Sequence, residues 1–301
     1  MPSTVTSNDV SAITPEIWSR ALQVPLYKSL VSLEVANTDL RNELTFGDTI
    51  HKQYLGDMSA ATYTPGTPVT AQDLNYVSDT LTVSAYRTVT WYIDNVEQLQ
   101  ANVEMARNTT TEAAYRLRDV IDQAVFGKVN LGTDVGADLI GGTVNRSLSA
   151  SSANVINMFS GARRFLRDAN VEEAGDWLAV LTPKLASYIE NKATSVGYNV
   201  ADATLRNGYM GDFMGFHIYI SNNLQTASIH DVTAETANVR NVFIGKRGTI
   251  DLVLQKAPSI VIKDVSDKLG KNFIASTVYG TQVFTKNASR FLNVEVHPSY
   301  D

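Results

Sequence analysis

The chain has 301 residues and a mass of 32.9 kDa, of which 44% are hydrophobic and 19% charged, so it carries enough apolar material for a core and is not a disordered chain. Its formal net charge is −6 and it has no cysteine, which excludes disulfides, thiolate nucleophiles and thiolate metal sites, while the lack of any basic run excludes strong phosphate-backbone binding. Ser, Thr and Asn number 23, 29 and 22, so uncharged hydrogen-bonding groups cover much of the surface, and such groups are buried between subunits at far lower cost than charges.

Residues 1–13 read as a polar arm; the first basic residue is Arg20 and no apolar run reaches the length of a membrane span, so neither an export signal nor a membrane segment is expected. Thr14 as N-cap and Pro15 at the first helical position predict a short helix carrying Ile17, Trp18, Ala21 and Leu22 inward, interrupted at Pro25. A second apolar stripe, Leu26, Leu30, Val31 and Leu33, runs out at a turn near Phe46 and Gly47. From residue 80 to 93 polar and apolar residues alternate strictly, broken on the apolar side only by Arg87. The pattern predicts one strand of roughly 46 Å, more than twice a typical strand, pairing with residues 49–55 across a turn-rich tip at 63–68. Residues 46–94 thus read as a long hairpin.

Thr109 and Glu112 form a capping box ahead of Ala113, Leu117, Val120, Ile121, Ala124 and Val125, predicting a helix over 110–126 that stops at Gly127. Residues 128–152 read as a loop or weak hairpin between two lobes. The second lobe alternates helix and strand: a helix at 155–169, a strand at 177–181, a helix opened by Thr182 and Pro183, then strands at 216–220 and 242–245. Residues 250–254 fit either state, and strands follow at 259–263, 272–279, 282–285 and 291–296.

Chemistry is sparse. His51, His217, His230 and His297 are scattered without metal-ligand spacing, and Gly245–Lys246–Arg247–Gly248–Thr249 lacks the upstream glycine and the hydroxyl after lysine of a phosphate loop, so a turn is expected. Gly208, Gly211 and Gly215 miss the dinucleotide fingerprint and suit turns. The carboxylate neighbours Asp119 and Asp122, Glu172 and Glu173, and Asp264 and Asp267 read as solvated faces. No catalytic, cofactor or metal site is expected.

In order and content the landmarks resemble the major capsid proteins of tailed bacteriophages, the HK97-like fold. Thr14–Pro15–Glu16–Ile17–Trp18 and Gly47–Asp48–Thr49–Ile50 look like that family's N-terminal arm and the start of its extended loop, and Tyr63–Thr64–Pro65–Gly66 resembles the loop tip. The run from Trp91 to Gln98 is similar to the return into the spine helix. Leu181–Thr182–Pro183, the stretch from Gly211 to Phe216 and Ser221–Asn222–Asn223 resemble the axial domain, and Tyr279–Gly280 the return into the peripheral domain.

The resemblance implies an α+β fold: an N-terminal arm (1–45), an extended loop hairpin (46–94), the spine helix and peripheral domain (95–152), an axial domain (153–262) and return strands of the peripheral domain (263–301). It further implies a structural protein of the virion, assembled in the bacterial host cytoplasm as hexamers and pentamers into an icosahedral shell around double-stranded DNA. That DNA would be contacted weakly and without sequence preference, and a separate scaffolding protein and a portal would be partners, the presence of a decoration protein being left open by the sequence. Tyr63, Pro65, Gly66, Trp18 and Arg87 are the candidate inter-subunit contacts. Some family members crosslink a loop lysine to a peripheral-domain asparagine; Lys52 and Asn287 stand nearest to that pair, with no carboxylate in an apolar setting recognisable beside them, so crosslinking is not expected. Two other readings are an encapsulin-type nanocompartment of the same fold and, more distantly, a cytosolic α/β enzyme binding a small molecule around Gly208–Gly215.

Overall fold

A computed structural model describes residues 27–28, 30–42, 44, 47–56, 58–69, 71–100, 105–141, 148–172, 176–196, 209–225, 239–265 and 268–298. The helix expected around Trp18 lies outside them. The first described helix, α1 (Ser32–Val35), is a single turn that buries Val31 and Val35 but leaves Leu33 59% exposed, so Leu33 is not part of the inward stripe.

β1 (Thr49–Leu55) and β2 (Tyr76–Thr82) form an antiparallel two-stranded ribbon in register from Thr49 opposite Thr82 to Leu55 opposite Tyr76. The single long strand expected over 80–93 is divided. The chain leaves the ribbon at Val83–Ser84, and β3 (Ala85–Asp94) enters a different sheet. The break is a change of partner: the Val83 N–H donates to the Asp48 carbonyl at 2.7 Å, and Gly280 crosses so close that a Cβ there would lie 2.7 Å from the Thr82 carbonyl oxygen. The alternation survives it, because Leu81, Val83 and Ile93 are all buried with the same parity.

After α2 (Asn95–Gln100) comes α3 (Met105–Phe126), which is 22 residues long and already helical at Met105. Thr109 and Glu112 are therefore inside the helix and not at its start. The Glu112 carboxylate accepts from Arg116 Nε one turn on at 2.7 Å, which is the exposed-face use of the same residue types. Ala113 and Leu117 press on Ala275, flanked by Val89, Trp91 and Ile260.

The segment expected to be a loop between lobes is docked. β4 (Thr133–Val135) and β5 (Leu148–Ala150) both run parallel to the last strand of the chain. α4 (Ser152–Asp168) starts at Ser151, whose Oγ accepts from the Asn154 N–H at 3.2 Å. β6 (Trp177–Leu181) is buried at all five positions, and α5 (Pro183–Val196) follows from Thr182. β7 (Tyr209–Phe213) and β8 (Phe216–Ile220) form a hairpin whose two-residue turn has positive φ at Met214 (50°) and Gly215 (84°), the mirror-image turn that suits strand twist.

Then come β9 (Arg240–Lys246), β10 (Asp251–Asp264), β11 (Gly270–Gln282), the short helical turn α6 (Thr285–Ala288) and β12 (Phe291–Pro298). The ambiguous stretch 250–254 is thus strand, and the strand expected at 282–285 is the end of β11 followed by α6. Pro258 falls where the β10–β11 register slips between Lys256 and Ser259, a place where no ladder N–H is needed.

Two larger sheets result. One has the order β10-β11-β3 and carries α3 on one face; the other has the order β4-β12-β9-β6-β8-β7, with β5 also on β12. The strands of residues 263–301 divide between them, β11 with β3 and β12 with β9. The seven-stranded sheet holds the main core: Trp177 stacks on Phe216 at 5.4 Å, Phe243 on Phe291 at 5.0 Å, and Phe159 meets Phe213 edge-on at 5.3 Å.

Candidate assembly interface

Because side chains alternate along the ribbon, Ile50, Lys52 and Tyr54 share a face with Val77, Asp79 and Leu81. That face turns toward the chain's own body. Ile50, Leu81 and Val83 join Leu40, Leu44, Val253 and Phe284 in a separate buried cluster, and Gln255 Nε2 donates to the Gly47 carbonyl at 2.8 Å. Beyond Leu55 the support ends. Gly56 N–H donates to the Asn75 carbonyl at 2.8 Å, and the Gln72 side chain bonds Ser59. At the tip the Thr67 N–H donates to the Thr64 carbonyl at 3.1 Å around Pro65 and Gly66, whose φ of 89° makes this the turn that requires glycine third.

Every described residue from Met58 to Asn75 is exposed. Met58, Tyr63, Val69, Leu74 and Tyr76 are 56–79% exposed, so large apolar side chains stand uncovered along this part of the chain. Tyr63, Pro65 and Gly66 therefore stand where the sequence placed them, at the far end of an outreaching hairpin. Arg87 is exposed on β3, opposite Thr277 in the three-stranded sheet and not on the ribbon. Trp18 lies outside the described residues.

Lys52 and Asn287 converge on one neighbourhood, and a carboxylate that the sequence reading overlooked lies with them. Lys52 Nζ sits 4.9 Å from the centre of the Phe284 ring, and Asn287 Nδ2 donates to Asp251 Oδ2 at 3.5 Å. Asp251 is fully buried and accepts from Asn37 Nδ2 at 2.9 Å. Burial pushes its carboxyl above the usual range, opposed by the Lys52 charge and the two amide bonds. The signal was an aspartate inside the apolar run Ile250–Leu254, which periodicity alone cannot distinguish from a solvated strand position.

Asp119 and Asp122 are corrected as well. They are 6% and 0% exposed, not a solvated face. One Asn223 amide donates to both, at 2.7 Å to Asp119 Oδ1 and 2.8 Å to Asp122 Oδ2, while the Val31 and Ser32 N–H groups donate to Asp122 Oδ1 at 2.9 and 2.7 Å. Lys28 Nζ completes the set by donating to Asn223 Oδ1 at 2.9 Å. Burial raises the Asp122 carboxyl against these bonds. The cluster joins α1, α3 and the segment after β8, so its role is to hold the layers together.

Other features read from the sequence have structural settings. Gly215 serves the β7–β8 turn, Gly208 lies outside the described residues, and Gly248 takes φ 77° in the turn after β9. His217 Nδ1 pairs with the Asp212 carboxylate across the β7–β8 hairpin. Among the described residues no group of three or more His, Asp or Glu side chains is placed to hold a metal ion, and no helix is long and apolar enough to cross a membrane.

The sequence matches no protein-family model and no curated protein. Solved structures do match it. A chain of Mycobacterium phage Che8 superimposes with a TM-score of 0.74 at 19% identity, covering 93% of this chain and 96% of that one. A chain from the capsid of the cyanophage P-SCSP1u gives 0.71 at 14% identity, over 98% and 96%, and one from the capsid of Ralstonia phage GP4 gives 0.64 at 10% identity, over 100% and 99%. The fold is the HK97-like capsid fold.

Proposed function

We propose that the protein is the major capsid subunit of a bacteriophage, a structural protein that tiles as hexamers and pentamers into an icosahedral head around double-stranded DNA. The observation that carries this reading is the hairpin: a ribbon anchored at its base, with an apolar, exposed outer half, in a chain whose fold is that of phage capsid subunits. An isolated two-stranded hairpin is marginal in water, so its outer half needs a surface supplied by another copy.

In this reading residues 1–45 are the arm, 46–94 the reaching loop, 95–152 the spine and peripheral part, 153–262 the axial part and 263–301 the return strands. Tyr63, Pro65 and Gly66 meet a neighbouring subunit, and Trp18 and Arg87 are further contacts. A separate scaffolding protein and a portal are partners in building the head, which takes place in the host cytoplasm. With a net charge of −6 the inner face touches DNA weakly and without sequence preference. No catalytic step is assigned. Lys52 is exposed, and no Lys52–Asn287 crosslink belongs to this reading.

Negative-stain imaging of the purified chain, with nuclease treatment of particles from infected cells, tests the reading. Shells protecting double-stranded DNA are expected. Small oligomers without shells would overturn it, and shells filled with a protein cargo would transfer it to a nanocompartment.

A further inference from the structure

The turn α6 has no cap of its own: its N-cap residue is Phe284, which offers no side-chain acceptor. The acceptor comes from the hairpin. Asp79, 206 residues away in sequence, takes the Thr285 N–H on Oδ2 at 2.8 Å and the Thr285 hydroxyl on Oδ1 at 3.1 Å. Two cations lock the same junction from opposite sides. Lys52, the cross-strand partner of Asp79, lies over the Phe284 ring, and Lys286 Nζ lies 5.5 Å from the centre of the Tyr54 ring. Beneath them Phe284 is 4% exposed and packs with Ile50 and Leu81, the next residues along the same face of the ribbon.

We propose that α6 is a clamp, closed by Asp79, that fixes the direction in which the hairpin leaves its subunit and confines adaptation to the half beyond Gly56 and Asn75. A carboxylate taking two donors from one residue holds orientation as well as distance, because both oxygens must keep their places. The ribbon beyond Leu55 has no comparable tie to the body of the chain among the described residues. A subunit that is one of five in one ring and one of six in another then bends its outer hairpin while the base stays constant. What the free half meets rests on the shell reading; the clamp itself does not.

Hydrogen exchange on the free full-length subunit tests the clamp. Asp79→Ala should accelerate exchange of the β1 and β2 amides about tenfold while leaving α3 and β6 unchanged. Thr285→Ala, which keeps the backbone bond, should give the same local pattern at smaller size, and Asp79→Asn, which keeps an acceptor oxygen, should fall between. Unchanged exchange in the ribbon of Asp79→Ala overturns the clamp, and so does equal acceleration in β6, since Asp79 would then be a general stability element. Failure of the wild-type chain to form shells, seen by imaging the same preparation, would sink the shell reading and leave this exchange pattern standing.

Discussion

In the seven-stranded sheet every residue of β6 is buried and aromatic rings stack from strand to strand, whereas in the hairpin every described residue between Met58 and Asn75 is exposed. Both stretches carry large apolar side chains. They differ in who supplies the covering surface: the sheet is covered by α4 and its own neighbours, while the hairpin has left the reach of its own core. The same hydrophobic effect therefore stabilises the subunit in one place and leaves apolar side chains facing water in the other.

Truncation on the two sides gives the sharpest contrast. Trp177 is fully buried, stacks on Phe216 and donates Nε1–H to the Glu172 carbonyl at 3.0 Å, so Trp177→Ala should cost about 3–5 kcal/mol in urea unfolding of the free subunit. Tyr63→Ala at the tip should change that unfolding by less than about 0.5 kcal/mol. Its effect belongs to shell yield, which should drop severalfold. Should Tyr63→Ala destabilise the free subunit as Trp177→Ala does, the hairpin folds back on its own domain and the contrast fails.

Proteolysis examines the same boundary. Cleavage between Gly56 and Asn75 should be more than tenfold faster in free subunits than in assembled shells, with β1 and β2 spared in both. Equal protection before and after assembly would remove the neighbour from the argument.

The division was partly legible in the sequence. Strict alternation over 80–93 located the strands and their buried face, and Pro65–Gly66 located the tip, because both signals are local. The break at Val83 was not, since it is made by Gly280 and Asp48 arriving from elsewhere without disturbing the alternation. The docking of β4 and β5 was missed for a related reason: they are three residues each, too short to carry a period, and are strands only because β12 lies beside them. Asp122, Asp251 and Asp79 look like ordinary polar positions until their distant partners Asn223, Asn37 and Thr285 are in place.

Asp122 gives an intermediate effect on the sheet side of the comparison. Asp122→Ala strands the buried Val31 and Ser32 N–H groups and half of the Asn223 amide, and should cost about 2 kcal/mol. Asp122→Asn adds a pH test. Burial raises this carboxyl in the native chain, so the native state keeps the proton to higher pH than the unfolded chain does. The stability linked to that proton is complete below the ordinary carboxylate range and is lost as pH rises through the raised native value. Wild-type stability should therefore fall with rising pH across that window more steeply than that of Asp122→Asn. Asp251 contributes with the same sign to both proteins, so the difference between them isolates Asp122. A difference that grows in the opposite direction would mean that the bonds from Asn223, Ser32 and Val31 outweigh burial.

The smallest effects separate a true helix start from an apparent one. Thr109 reads as an N-cap by sequence, yet it is Ser151 that has extended backbone, with φ −144° and ψ 158°, and an Oγ that accepts from the N–H three residues on. Thr109 lies inside α3, where the backbone N–H groups of a helix interior are already taken by carbonyls one turn earlier. Ser151→Ala should therefore cost about 1 kcal/mol, by removing the side-chain acceptor of the Asn154 N–H at the start of α4 and leaving it the Ser151 carbonyl at 3.1 Å. At position 109 alanine relieves the side-chain restriction of a β-branched residue in a helix and no N-cap is lost, so Thr109→Ala should cost clearly less than Ser151→Ala. Denaturant midpoints of the two variants measured side by side decide it. If Thr109→Ala cost as much as Ser151→Ala, the helix would start at Thr109 in solution, the turn from Met105 would be melted, and the spine would be shorter than the one described.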